Sequence, residues 1–254
     1  MRYGVLADIH GNLPALEATL AALRAQSVDG YLVAGDLVGY GPFPNECVER
    51  VSDLDAICVA GNHDLIVLGR LSDQHCISMA RETLAWTRDV LRKDAQAYLE
   101  TLPIRTRAPG GVVVAHGSLD DPERYIARPD QAAEQLRRLR AEGSEAQALV
   151  LGHTHRARAY GERQGAVSTR SRAPVALKTK QAWLFNPGAV GQSRELRARA
   201  RYMVLDLERR QAAFHAIGYD VEACRRALRR QGLPSRTYHL RPSPTRRVLR
   251  ALRR

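Results

Sequence analysis

Along the first 65 positions the apolar residues fall in short unbroken runs, and each run stops at a cluster of Gly, Asp, Asn and His. Tyr3 to Ala7 leads into Asp8-Ile9-His10-Gly11-Asn12, Tyr31 to Ala34 into Gly35-Asp36, and Ala56 to Ala60 into Gly61-Asn62-His63-Asp64. Short apolar runs closed by turn-forming residues predict buried strands. Between the first two, Pro14 to Ala25 sets Leu16, Leu20 and Leu23 at helical spacing, so the predicted order is strand, loop, helix.

The rest of the chain continues in the same style. Asp73 to Leu102 is rich in helix formers, with Leu84, Val90, Leu91 and Leu99 as apolar positions, and predicts one or two helices covering a sheet. Val112 to Ala115 runs into His116-Gly117, and Ala148 to Leu151 runs into Gly152-His153-Thr154-His155. A polar stretch from Gly161 to Gln181 precedes Ala182-Trp183-Leu184-Phe185-Asn186-Pro187-Gly188. Tyr202 to Leu207 and Ala212 to Ile217 alternate as a hairpin does, with its turn near Glu208 to Arg210. Strands alternating with helices need crossover connections, which predicts an α/β fold with a largely parallel sheet. There is no internal repeat and no linker, so residues 1–220 read as one domain and residues 221–254 as a basic C-terminal helix and tail.

Charge sharpens that division. The 254-residue chain carries a formal net charge of +12, but residues 223–254 hold eleven arginines and no Asp, Glu or Lys. The remaining 28 basic and 27 acidic residues nearly cancel, so the body is electrostatically ordinary. Val221, Cys224 and Leu228 sit at helical spacing and predict a helix that packs one face while its arginines reach solvent. Arg241 to Arg254, interrupted by Pro242 and Pro244, has too few apolar groups to fold alone; its charge suits contact with nucleic acid or another acidic partner. No run approaches the roughly 20 apolar residues of a membrane span, and Asp8 comes too early for a signal peptide, so the expected address is the cytoplasm, with no membrane partner. Cys47, Cys58, Cys76 and Cys224 lack metal-binding or disulfide spacing and read as small buried hydrophobes.

The chemistry gathers where the runs end. Five of the eight histidines, His10, His63, His116, His153 and His155, lie in loops just past predicted strands, whereas His75, His215 and His239 do not. In open α/β sheets such loops converge on one edge. Asp8 and His10, one residue apart, can reach one ion, and His153 and His155 repeat that spacing; Asp36 can bridge two ions and Asn62 offers a neutral carbonyl oxygen. Imidazole and oxygen donors without thiolate suit two divalent transition-metal ions, Mn first, with Fe, Ni, Co or Zn as alternatives. Two such ions against two aspartates and one hydroxide leave about one net positive charge to attract a phosphate, and a shared water with lowered pKa serves as nucleophile. His63, beside Asn62, is the candidate proton donor and phosphate contact, with the neighbouring Asp64 expected to orient its ring. Tyr40, Arg124 and Tyr125 are further positions that could touch substrate.

Taken in order, Asp8-Ile9-His10, Gly35-Asp36, Gly61-Asn62-His63-Asp64, His116-Gly117 and Gly152-His153-Thr154-His155 closely resemble the five signature blocks of the calcineurin-like metallophosphoesterases. Gly11-Asn12-Leu13-Pro14-Ala15-Leu16 and Asp36-Leu37-Val38-Gly39-Tyr40-Gly41-Pro42 resemble the prokaryotic branch of small phosphodiesterases and diadenosine-tetraphosphatase-like proteins. The resemblance spans about residues 1–220 and implies a β-sandwich flanked by helices, an α/β/β/α arrangement. It also implies that Asp8, His10, Asp36 and His155 hold one metal, that Asp36, Asn62, His116 and His153 hold the other, and that His63 is the catalytic histidine. The activity it implies is phosphoester hydrolysis, of a cyclic or nucleotide-like diester before a monoester, with protein phosphatase and nuclease as alternatives and a non-catalytic scaffold disfavoured by the full ligand set. One departure is Ala189, after Asn186-Pro187-Gly188, where many relatives carry Ser.

Overall fold

The computed structural model describes residues 1 to 241, Ser144 and Arg172 excepted. One six-stranded sheet runs in the order β3 (Ile57–Cys58), β2 (Gly30–Val33), β1 (Arg2–Leu6), β11 (Ala200–Asp206), β12 (Gln211–Ile217), β9 (Val175–Ala176). The second runs β4 (Arg105–Ala108), β5 (Val112–Ala115), β6 (Ala148–Val150), β10 (Trp183–Asn186), β7 (Arg158–Gly161), β8 (Gly165–Val167). Between the sheets Val5, Leu32 and Val59 of the first meet Val114, Val150, Trp183 and Phe185 of the second in one fully buried cluster.

Strand alternation builds the outer layers. In β5, Val112 and Val114 point between the sheets while Val113 and Ala115 join Ala132, Leu136 and Leu139 of helix α6 (Pro129–Ala141) on the far side. On the opposite face, Leu6 packs with Leu16, Leu20 and Leu23 of α1 (Leu13–Arg24). The same cluster takes in Val48 of α2 (Pro44–Ser52), Ile66 of α3 (Asn62–Val67), Leu84 of α4 (Ser78–Val90) and Leu99 of α5 (Lys93–Thr101). The result is the four-layer α/β/β/α sandwich.

The expectation of a largely parallel sheet is corrected. Four strand pairs are parallel (β1 with β2, β2 with β3, β5 with β6, β6 with β10), and six are antiparallel. The β11–β12 hairpin docks against β1 and the β7–β8 hairpin against β10, and hairpins reverse direction without a crossover helix. The polar stretch 161–181 also contributes β8 and β9, both at sheet edges, where one face stays wet and no apolar run is needed.

Helix α7 (Val221–Arg230) is capped by Asp220 and buries Cys224, Ala227 and Leu228, while Arg225 and Arg229 both pair with Glu222. The chain then returns toward residue 193: Ser193 N donates to Tyr238 O, and Leu240 N to Ser193 O. The tail discussed above lies, from residue 242 onward, outside the described residues. Cys47, Cys58 and Cys224 are buried, and Cys76 is half-buried. No helix of the described residues is long and apolar enough to cross a membrane.

Candidate metal centre

The carboxyl ends of β1, β2, β3, β5 and β6 meet at one edge of the sandwich, and backbone hydrogen bonds lock their loops together. Asp8 N donates to Gly35 O (3.0 Å), His10 N to Asp36 O (2.9 Å) and Gly152 N to His116 O (2.9 Å). Side-chain oxygens continue the lacing: Asp8 Oδ1 accepts from His153 N and Asp36 Oδ1 from His63 N, each at 2.9 Å. Asp8, His10, Asp36, His153 and His155 all hold left-handed backbone conformations, with φ between 49° and 63°. Non-glycine residues adopt that conformation only where the surroundings impose it, and such strain clusters at functional sites.

Gly35, at φ 78°, is required for a second reason: a Cβ there would lie 2.6 Å from Gly61 N and 2.8 Å from His116 Nδ1. Gly35→Ala is therefore expected to push the Asp36 loop away from the Asn62 loop. Thermal melting should register a loss of about 2 kcal/mol, and the purified variant should hold less metal than wild type.

The donor atoms form two groups with a shared member. One atom each from Asp8, His10, Asp36 and His155 lie within 4.8 Å of one another, and so do atoms of Asp36, His116 and His153. Asn62 Oδ1 joins the second group, 3.2 Å from His116 Nε2. Each histidine has one ring nitrogen committed to a backbone carbonyl: His10 Nδ1 to Val38 O (3.1 Å), His116 Nδ1 to Ala34 O (2.6 Å), His155 Nδ1 to Gln192 O (2.9 Å), and His153 Nε2 to Glu123 O (2.9 Å). A carbonyl only accepts, so those nitrogens carry protons, and in the neutral rings of His10, His153 and His155 the opposite nitrogens present lone pairs. His10 Nε2 and His155 Nε2 consequently oppose each other at 3.2 Å, and Asp8 Oδ2 is buried with no hydrogen-bond partner. Lone pairs and a carboxylate oxygen converging in this way fit a divalent cation.

Titration behaviour agrees with that fit. Burial holds His10 and His155 well below the ordinary histidine range and His153 at about 3, so these rings are neutral, the form that binds metal. Burial also raises Asp8, to about 7, whereas Asp36 lies well below the usual carboxylate range because the charge and hydrogen bond of His116 beside it outweigh the burial that would raise it. At His116 burial opposes the charged form, but Asp36 raises the ring to about 9. The proton on His116 Nε2 points at Asp36 Oδ2, 3.2 Å away, and a cation held by that nitrogen would displace it.

Asp64 corrects an expectation. Its carboxylate accepts from four backbone amides, Gly61 N (2.8 Å), Asp36 N (2.9 Å), Leu37 N (2.9 Å) and Val38 N (3.1 Å). No acceptor position is left to orient His63, whose Nδ1 is buried without a partner. The His63 ring is held instead between His10 and Tyr40, at centroid distances of 4.8 and 4.7 Å. Asp64 thus acts through the backbone, tying the loop after β3 to the loop after β2.

Asp36, Asn62, His63, His153 and His155 line a cleft of about 710 Å³ together with Tyr40, Tyr125 and Arg194. Arg124 is turned aside into an ion pair with Glu134 at 2.7 Å. Sequence reasoning missed Arg194, which follows the 186–189 block without apolar periodicity or a strand end to signal it. It also missed Glu123 and Gln192, whose backbone carbonyls orient the His153 and His155 rings irrespective of their side chains. Asn186 donates to Gly152 O and Thr154 Oγ1 and accepts from Gly188 N, which supports the His153–His155 loop; Ala189 beside it is buried and contributes its carbonyl to Arg201 N.

A sandwich with this edge of shared carboxylate and imidazole donors is the architecture of the metallophosphoesterases, and residues 1–210 match the calcineurin-like phosphoesterase superfamily domain. The chain belongs to that superfamily and is a metal-dependent phosphoesterase. Among solved structures it is similar to a metallophosphoesterase from Sphaerobacter thermophilus, 33% identical, with 94% of this chain and 96% of that one covered and a TM-score of 0.80. A hypothetical protein of Pyrococcus horikoshii OT3 shares the fold at 22% identity and TM-score 0.73, covering 93% and 96% of the two chains. An uncharacterized protein of Methanocaldococcus jannaschii is 29% identical over 235 residues, 91% of this chain and 93% of its own.

Proposed function

We propose that the protein is a two-metal hydrolase of phosphodiesters, acting on a cyclic or nucleotide-like substrate. The observation that carries this reading is the pair of donor groups sharing Asp36, since a shared carboxylate sets two ions side by side. Asp8, His10, Asp36 and His155 would hold one ion, and Asp36, Asn62, His116 and His153 the other. Two adjacent divalent ions, Mn first among them, supply charge stabilisation for a phosphoryl group and activate water as the nucleophile. The protein's own contribution is to fix the donors by their carbonyl-bound nitrogens, to exclude bulk water from the buried edge, and to place His63 on the cleft wall as proton donor to the leaving oxygen. A diester is favoured over a monoester because the cleft continues past the donors to Ile77 and Leu240, leaving room for a second ester substituent. Arg241 at the same cleft favours nuclease activity as the second reading, in which the basic tail holds the polymer; that reading predicts turnover that falls steeply with salt.

The test is hydrolysis of bis-p-nitrophenyl phosphate against p-nitrophenyl phosphate by metal-stripped protein supplied with Mn, Ni, Zn or Mg. Metal-dependent cleavage of the diester in preference supports the proposal; preference for the monoester assigns the protein as a phosphatase, and no turnover with any metal removes the catalytic reading. His63→Gln is expected to lower kcat by about 10²-fold with metal content unchanged. The defect should grow when p-nitrophenol is replaced by an alkyl alcohol, because a poor leaving group depends most on the proton.

A further inference from the structure

We infer that Arg194 is the phosphate anchor of the cleft, a role that rests on the phosphoester reading above. Its guanidinium donates from Nε to Gln192 Oε1 at 3.2 Å, from Nη1 to Tyr125 Oη at 3.4 Å, and from Nη2 to His155 Nε2 at 3.3 Å. It is half-buried, and it forms no ion pair with a carboxylate among the described residues, whereas Arg50, Arg92, Arg124 and Arg138 all do. A guanidinium withdrawn from water without a counter-ion is costly unless an anion completes it.

The third of those bonds says where the anion belongs. His155 donates its Nδ1 proton to Gln192 O, so the Nε2 lone pair that Arg194 takes is the same lone pair that faces the Asp8, His10 and Asp36 donors. A metal ion on His155 and an N–H from Arg194 cannot share it. With an ion bound, Nη2 is released beside a like charge, and the group that can stand between a divalent ion and a guanidinium is an anion with several oxygens. A phosphoryl group meets that description, and the planar fork of arginine suits two of its oxygens at once. Gln192 and Tyr125 hold the stem and the far edge of the guanidinium in place, so the fork need not be ordered when substrate arrives.

The experiment measures binding of inorganic phosphate to the Mn-loaded protein by calorimetry, with Mn affinity and the split between kcat and KM followed in parallel, for wild type, Arg194→Gln and Arg194→Lys. Arg194→Gln should weaken phosphate at least about tenfold and raise KM by a similar factor. Its Mn affinity should hold or rise, because a repelling charge and a competitor for His155 are both gone. Arg194→Lys should recover part of the phosphate affinity, since the charge returns without the fork. Unchanged phosphate binding in Arg194→Gln overturns the inference, and so does a fall in Mn affinity large enough to account for the phosphate loss, which would make Arg194 a brace for His155. Should wild type itself show neither metal-dependent phosphate binding nor hydrolysis, the phosphoester reading of the site falls, and the Arg194 assignment with it.

Discussion

Asp36→Asn is expected to lower metal-dependent phosphoester hydrolysis by about 10⁴-fold, well beyond the 10²–10³ that follows loss of a single polar donor elsewhere. Asp36 alone belongs to both donor groups, and it lies 3.4 Å from His10 Nε2 and 3.2 Å from His116 Nε2. The amide retains an oxygen for the His63 backbone N–H, so the loops can keep their shape. The charge that two ions would share is lost, and the donor left in its place can bridge only weakly. Metal analysis after dialysis should show the stoichiometry fall from two ions toward one or none. If Asp36→Asn keeps two tightly bound ions and wild-type turnover, the shared-carboxylate account of the site is wrong.

Asp64→Ala should produce the largest loss of stability, and for a reason unrelated to metal. Removing the carboxylate strands the amides of Gly61, Asp36, Leu37 and Val38 in the interior at one stroke. A buried donor left unmet costs about 1–3 kcal/mol, so even with partial relaxation the variant should lose about 4 kcal/mol or more. Denaturant titration of the metal-free protein reads this directly, free of the stabilisation a bound ion would add. Burial and the charge of Asp36 push the Asp64 carboxyl up to about 7, against the hydrogen bonds that favour its ionised form. A raised value means that this group withholds stability above its unfolded pKa, near 4, and progressively less is withheld as pH falls through 7 toward 4. A stability difference below about 1 kcal/mol would show that the four amides find other partners and that Asp64 is not the knot described above.

Much of the site was legible because metal chemistry restricts residue type so severely. His10, His116, His153 and His155 stood at the ends of apolar runs, and a strand end next to glycine is a place that sequence marks clearly. Donor atoms of Asp8, His10, Asp36 and His155 lie together in the fold, and so do those of Asp36, His116 and His153, which puts His153 and His155 in different groups although spacing alone paired them. What escaped were contacts without a side-chain signature. Asp64 sits next to His63 in the chain, and adjacency suggested a partner for the ring; the turn into α3 directs its carboxylate to the neighbouring loop instead. Arg194 belongs to a segment that periodicity leaves featureless, and only the return of residues 189–193 along Ala7 and Asp8 brings it to the cleft.

The same contrast holds for the fold. The strand, loop and helix order at the start of the chain, the burial of β1, β2, β5, β6 and β10, and the residue types of the donors follow from local patterning, because apolar runs, turn residues and ligand chemistry are written one position at a time. Strand direction, the insertion of the β11–β12 and β7–β8 hairpins, which ring nitrogen of each histidine faces the donor cluster, and the contacts of Asp64 and Arg194 were decided by tertiary structure. Those features depend on hydrogen bonds between residues distant in sequence, such as the 145 positions separating Asp8 from His153, and a pattern read along the chain carries no term for them.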